Sequence, residues 1–241
     1  MCFNYVIRQG DSLYNLAGYY KTTVDMLIRQ NPHVNPNNLQ IGSTVTICPG
    51  MGYNSYPEAE PASKSEWNLT ADMRSLWEQH VFWTRLVLVS IANKLNDQMA
   101  TVNRLLQNPK DIANVYAKYY PADVARNIEN LLTQHLQIGG DIITAARDGQ
   151  TAKVNDLSKQ WYANADQIAN YFSSINPFYD KEEVRNMFYT HLDLTTQEVQ
   201  QQLAGNFSDS IKTFDKIEKE ALEMANYFTQ GLVKQIPQKI R

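Results

Sequence analysis

The stretch that decides the fold of the amino-terminal part is Tyr5-Val-Ile-Arg-Gln-Gly-Asp-Ser-Leu-Tyr-Asn-Leu-Ala17. It opens on a short run of β-forming residues, passes through a Gly-Asp-Ser turn, and continues with apolar residues at helical spacing. Asp11 and Ser12 stand just before that spacing, where a short polar side chain accepts hydrogen bonds from the first free N–H groups of a helix. The stretch therefore predicts a strand, a tight turn and a helix.

The residues that follow predict a second helix and a second strand. Thr22 or Thr23 caps the helix, which ends at Asn31 because the residue before Pro32 is pushed out of the α region. Residues 44–47, Thr-Val-Thr-Ile, are a second β-type run. The expected order is strand, helix, helix, strand, in a small α+β module.

These residues also resemble a known family. Residues 5–17 are similar to the opening of LysM modules, and the rest of residues 3–48 follows the same pattern. The matching positions are Thr23, Leu27, Asn31-Pro32, Asn38-Leu-Gln-Ile-Gly42 and Val45-Thr-Ile47. The resemblance implies a βααβ fold that binds N-acetylglucosamine oligomers in peptidoglycan or chitin.

In that family the sugar groove lies between the loop after the first strand and the loop before the second. Backbone amides and small polar side chains hydrogen-bond an N-acetyl group there, while apolar side chains pack on the sugar. The expected glycan-binding residues are Gly10, Asp11, Ser12, Leu13, Asn31, Pro32, His33, Leu39, Gln40 and Ile41. In the alternative reading, Asp11 and Ser12 only cap the helix and Leu13 belongs to the core.

The two cysteines of the chain, Cys2 and Cys48, bracket the module. Because the strands of a βααβ module pair antiparallel, the start of the first lies beside the end of the second. A disulfide is therefore expected, and it would close a long loop around a module too small to build much core. Two free thiols are the alternative.

The rest of the chain has a different character. Residues 49–66 contain Pro-Gly and Pro-Glu-Ala-Glu-Pro without periodicity, which indicates a linker. Residues 67–241 show helical spacing nearly throughout and no β-type alternation, which predicts an all-α bundle of three helical hairpins. The chain is thus expected to be multidomain, with the LysM module at residues 1–48 followed by linker and bundle.

The bundle carries three histidines in similar contexts, His80, His135 and His191, separated by steps of 55 and 56 residues. An acidic residue in a second shared signature follows each histidine after 31, 31 and 32 positions. This spacing predicts a threefold internal repeat of a helical hairpin, with units at 68–120, 122–176 and 180–236. A first helix that runs unbroken through Asn96 is the alternative.

Each histidine lies in or beside an apolar stripe of its helix, which permits a metal site because bundles build such sites from facing helices. The candidate ligands are His80, His135, His191, Asp166, Glu198, Asp215 and Glu218. Shared ligation at roughly 2 Å per bond requires the histidines to converge within about 5 Å. The favoured alternative is a buried polar network, since the Glu-x-x-His pairing of di-iron bundles is missing.

Several functional classes are disfavoured. The net charge of −3 provides no basic footprint for nucleic acid, and the longest apolar stretch, residues 86–92, is too short for a membrane span. No Gly-x-Ser-x-Gly elbow or phosphate-binding glycine loop is present, so the chain is not expected to be an enzyme. No signal peptide is visible, which suggests removal, another export route, or deposition from inside the cell, as in spore-coat assembly.

Residues 70–236 also resemble an uncharacterised helical family of Gram-positive spore-forming bacteria, through Trp77, Trp83-Thr-Arg85 and Trp161-Tyr-Ala-Asn-Ala-Asp166. That resemblance implies no function.

The combined expectation is a protein of the cell wall or spore surface that binds N-acetylglucosamine-containing glycan. Its bundle would have a structural role or bind a protein partner, and no cofactor is required. The alternative is a metal-binding enzyme or metal-storage unit, holding a divalent metal in the bundle and targeted to the wall by LysM.

Overall fold

The computed structural model divides into two compact units, Met1–Ala62 and Ser63–Arg241. It describes residues 2–35, 39–49 and 63–240. Most of the predicted linker therefore lies outside the described residues, as do Met1, Arg241 and the stretch 36–38 before Leu39.

The first unit contains the four predicted elements in the predicted order. They are β1 (Phe3–Val6), α1 (Leu13–Tyr19), α2 (Val24–Gln30) and β2 (Thr44–Ile47). The two strands pair antiparallel, with Phe3 opposite Ile47 and Val6 opposite Thr44. The predicted βααβ module is confirmed.

Local side-chain hydrogen bonds explain where the two helices begin. The Ser12 hydroxyl accepts a hydrogen bond from the Asn15 amide at 3.1 Å and caps α1. Thr23, rather than Thr22, caps α2 through a bond from the Met26 amide, also at 3.1 Å. Each bond satisfies one of the free N–H groups of a first helical turn.

The core of the first unit is small, and a disulfide closes it. The buried apolar side chains are Ile7, Leu13, Leu16, Ala17, Leu27, Val45 and Ile47. Cys2 and Cys48, which flank the paired strands, form the predicted disulfide across a sequence separation of 46. The alternative of two free thiols is wrong.

The second unit is entirely helical in its described elements. These are α3 (Lys64–Ala92), α4 (Gln98–Leu105), α5 (Asn108–Ala117), α6 (Ala122–Arg147), α7 (Thr151–Ile175), α8 (Lys181–Leu203), α9 (Phe207–Gln235) and α10 (Pro237–Ile240). The Ser63 hydroxyl accepts from the Glu66 amide at 3.0 Å and caps α3. The bundle thus begins a few residues before the expected boundary at residue 67.

Three helical hairpins make up the bundle. The turn between α6 and α7 contains Gly149, and the turn between α8 and α9 contains Gly205. Both glycines adopt positive φ angles, +69° and +76°, that glycine tolerates without steric cost. The first hairpin pairs α3 with a return arm divided into α4 and α5. Because α3 ends at Ala92, the alternative of a helix unbroken through Asn96 is wrong.

Aromatic side chains fill the centre of the bundle. The Trp77 ring stacks on Phe228 with centroids 5.6 Å apart, and Tyr116 and Tyr179 are fully buried nearby in the same core cluster. Burial of such large side chains provides most of the hydrophobic stabilisation of a bundle. None of the described helices is long and apolar enough to cross a membrane.

Reduction of the Cys2–Cys48 disulfide is expected to destabilise the first unit by about 4 kcal/mol, since the bond constrains a long loop of the unfolded chain. Hydrogen exchange followed by mass spectrometry measures both units in one sample. Peptides from the first unit should exchange faster in reductant. Peptides from the bundle contain no cysteine and serve as the internal control; equal exchange with and without reductant in both units would contradict the prediction.

Candidate functional site

The loop that follows β1 is held in shape by its own side chains. The Asp11 carboxylate accepts a hydrogen bond from the Arg8 amide at 2.7 Å, and Gly10 takes a φ of +88°. Ser12 is occupied as the cap of α1, and Leu13 is buried in the core. These predicted glycan-binding residues therefore fix the loop, and Leu13 does not face solvent.

The loop after α2 is anchored through Asn31, which is buried. Its amide nitrogen donates to the carbonyls of Leu27 at 2.8 Å and Thr46 at 2.9 Å, and its amide oxygen accepts from the Thr46 N–H at 2.7 Å. Asn31 thus ties α2 to β2 and supports the loop from inside. Pro32 and His33, next in the chain, are exposed.

The third predicted stretch leads into β2. Ile7 donates its N–H to the Ser43 carbonyl at 2.8 Å and accepts from the Gly42 N–H at 2.9 Å, which holds this stretch beside the end of β1. Leu39 packs against the module core, whereas Gln40 and Ile41 are exposed. An isoleucine that is 69 % exposed in a firmly held turn is available for contact with a sugar face.

Residues 5–47 are a LysM domain. The family model matches that segment, which is the βααβ module just described. The LysM domain indicates binding to N-acetylglucosamine-containing glycans such as peptidoglycan or chitin, and association with the cell wall. No curated protein and no solved structure matches the chain. The resemblance of residues 70–236 to a helical family stays a prediction.

In the bundle, the three histidines come together. His80 on α3, His135 on α6 and His191 on α8 are all buried. The ring of His191 lies 5.6 Å from that of His80 and 6.5 Å from that of His135, measured between centroids. The rings therefore meet in one place, at distances somewhat wider than the 5 Å or so expected for shared metal ligation.

Each histidine is hydrogen-bonded through Nδ1 to the return arm of its own hairpin. His80 bonds to Asn108 on α5 at 3.1 Å, and His135 bonds to Asn164 on α7 at 2.9 Å. The partner of His191 is Glu220 on α9, at 3.0 Å. The partners follow their histidines by 28, 29 and 29 residues. The same contact between a histidine and the return arm therefore occurs at the corresponding place in all three hairpins.

The carboxylates predicted to join the histidines have other surroundings. Asp166 accepts from the Tyr189 hydroxyl at 3.0 Å, and Glu198 is buried in an ion pair with Arg85. Asp215 is exposed and Glu218 is half-buried. Among the described residues, no group of three or more His, Cys, Asp and Glu side chains is arranged so that it could hold a metal ion. The predicted seven-residue ligand set is not assembled.

The hydrogen-bond partners of the histidines are not among the ligands that the sequence predicted. Asn108, Asn164 and Glu220 lie two or three positions before the acidic residues of the second shared signature, which are Asp111, Asp166 and Glu223. The sequence signal that could have identified these partners is a polar residue 28 or 29 positions after each histidine.

The three imidazoles line a cavity of about 480 Å³. Most of the other side chains around it are apolar, and they include Val87, Ile91, Leu105, Leu136, Ile143 and Val199. The Thr195 hydroxyl also lines the cavity and is buried without a hydrogen-bond partner. A largely apolar cavity of this size, with some polar side chains in its wall, has the character of a small-molecule site.

Burial controls the charge of this cluster. It lowers the pKa of His80 and of His135 to about 3, and the neighbouring His191 lowers both further. Both imidazoles are therefore neutral at ordinary pH. Burial also raises the pKa of Glu198, and the adjacent Arg85 guanidinium opposes that rise.

Acid is expected to destabilise the bundle before its carboxylates titrate. In the unfolded chain His80 and His135 take up protons below about pH 6.5, whereas in the folded bundle they do so only near pH 3. The contribution of the two neutral histidines to the free energy of unfolding is fully present above about pH 6.5 and is lost as the pH falls towards 3. Between pH 7 and 5.5 the loss should be roughly 2 kcal/mol for the pair, measured by denaturant unfolding with a chelator present.

The matched control is the double variant His80→Gln, His135→Gln, which lacks the two titrating groups. Its stability should depend less on pH over the same interval, whatever its absolute value. The same pH slope in both proteins would show that the histidines are not held neutral.

Proposed function

We propose that this protein binds N-acetylglucosamine-containing glycan in a cell wall or spore envelope through its LysM domain, and so holds its helical bundle there. The observation that carries the proposal is the family match over residues 5–47, together with the formed βααβ module. The bundle acts as the delivered unit, with a structural role or a protein partner.

The geometry of the three loops supports glycan binding. Their backbone is fixed by the Asp11 turn, the buried Asn31 and the pairing of Ile7 with the stretch before β2. A rigid site loses little conformational entropy when it binds, which matters for a sugar that offers few strong contacts. Exposed groups at these loops, His33 and Ile41 among them, can contact the polymer.

A domain of this size should bind one oligosaccharide weakly, because few contacts must offset the cost of association. An insoluble glycan offers many neighbouring sites, so a released domain rebinds before it escapes. Retention on a wall polymer is therefore expected to exceed the affinity for a short soluble oligomer.

The chain should sediment with insoluble peptidoglycan or chitin. Ile41→Ala should weaken binding about tenfold, because loss of one apolar contact of roughly 1.4 kcal/mol changes an equilibrium constant by that factor. Sedimentation isotherms with purified polymer measure the change. The control is Ile28→Ala, which removes the same side chain from an exposed position on α2 of the same domain.

Failure of the wild-type chain to sediment with either polymer would overturn the proposal. Normal binding by Ile41→Ala together with loss by Ile28→Ala would place the glycan on the helical face instead of the loops.

A further inference from the structure

The histidine cluster contains nitrogen atoms with no assigned role. Each ring uses Nδ1 in a hydrogen bond across its hairpin, which leaves Nε2. Nε2 of His135 is buried without a partner, and all three rings line the same cavity. A buried polar atom without a partner costs roughly 1–3 kcal/mol, so its retention calls for a physical explanation.

The hydrogen bonds determine which nitrogen of each ring carries the proton. The amide nitrogen of Asn108 donates to the main-chain oxygen of Leu76 at 2.8 Å. Because a carbonyl only accepts, the amide must keep this orientation and present its oxygen to His80. That oxygen also only accepts, so Nδ1 of the neutral His80 ring holds the proton. Asn164 repeats the arrangement at His135.

His191 follows the same rule with a stronger acceptor. The Glu220 carboxylate faces its Nδ1 at 3.0 Å, and a carboxylate accepts the Nδ1 proton. In His80 and His135 Nε2 is then an unprotonated lone pair, and the Nε2 of His191 is likewise not used by the bond to Glu220. A histidine whose Nδ1–H is held by an amide or carboxylate oxygen, with Nε2 free, has the arrangement that orients metal-ligating imidazoles in proteins.

We propose that His80, His135 and His191 bind one divalent transition-metal ion through their Nε2 atoms, beside the cavity of the bundle. Zn²⁺, Co²⁺, Ni²⁺ and Cu²⁺ all accept imidazole nitrogen. Three histidine ligands leave a coordination position for water or for an oxygen atom of a small molecule. Because the three rings line the cavity, that position opens to it.

The ring distances set the movement that binding requires. Nitrogen atoms about 2.1 Å from a shared zinc ion place imidazole centres roughly 5 Å apart. The observed separations of 5.6 and 6.5 Å are wider by about one ångström, which explains why the described residues do not already form a closed ligand set. The cavity beside the rings leaves room for a shift of this size.

A carboxylate lies behind one of the three rings. Glu220 supplies a negative charge through the His191 ring. That charge would offset part of the charge of a bound metal ion, which a buried cation needs.

The test uses the full chain without a histidine tag, stripped with a chelator and then given Zn²⁺ or Co²⁺. After gel filtration, elemental analysis should find one metal ion per chain in the wild type and none in His135→Gln. The matched control is His33→Gln, which changes the remaining histidine of the sequence and should keep the metal. A metal-free wild type, or equal uptake by wild type and His135→Gln, would overturn the proposal.

A second variant, Glu220→Gln, tests the same metal site even if His135→Gln does not fold. Glutamine retains an oxygen for Nδ1 of His191 but removes the charge, so the metal affinity should fall by about 10- to 100-fold. Competition with a chromophoric chelator measures that affinity, and the visible absorption of bound Co²⁺ reports the change in ligand field. Unchanged affinity in Glu220→Gln would contradict the site. Neither measurement involves glycan, so their outcome is independent of the LysM proposal.

Discussion

The hydrogen bond between each core histidine and the return arm of its own hairpin is the constraint on which the bundle depends. A buried imidazole that lost its Nδ1 partner would destabilise the fold by roughly 1–3 kcal/mol. The bond occurs three times, to Asn108, Asn164 and Glu220. It sets the longitudinal register of each helix pair, since sliding one arm by a turn would separate the partners. The first hairpin keeps this register although its return arm is divided, because Asn108 is the first residue of α5.

At the level of the three histidines, the interior of the bundle contains a cavity. Three buried rings meet on the wall of a cavity of about 480 Å³, in a protein whose core is otherwise filled with aromatic and aliphatic side chains. The backbone of α6 is well supported at this level: the Trp161 indole donates to the His135 carbonyl at 3.0 Å, and a Cβ added at Gly139 would lie only 3.2 Å from that indole. A well-supported cluster beside empty space differs from a simple packing defect, which would lack such support.

The LysM domain reaches its stability by different means. Its buried apolar cluster is small, so covalent and local polar bonds carry a larger share. The Cys2–Cys48 disulfide joins the ends of the two strands, and Asn31 bonds both backbone groups of Thr46 that face it. The loops of the predicted sugar groove are therefore fixed from within. Exposed side chains such as Ile41 are therefore available for contact with a ligand, because the fold does not need their burial.

The sequence by itself determined what depends on neighbours along the chain. A cap at Asp11 or Ser12, a cap at Thr22 or Thr23, the βααβ order and the spacing of the three histidines are local features. The structure contains all of them, with Ser12 and Thr23 as the caps. Only the tertiary structure determined which side chain of a return arm meets a histidine. Asn164 and Asp166 are two positions apart and so point to different sides of α7; Asp166 was the predicted ligand, whereas Asn164 bonds to the ring. The packing angle between the helices determines which of these side chains faces the histidine. That angle results from contacts between residues far apart in sequence.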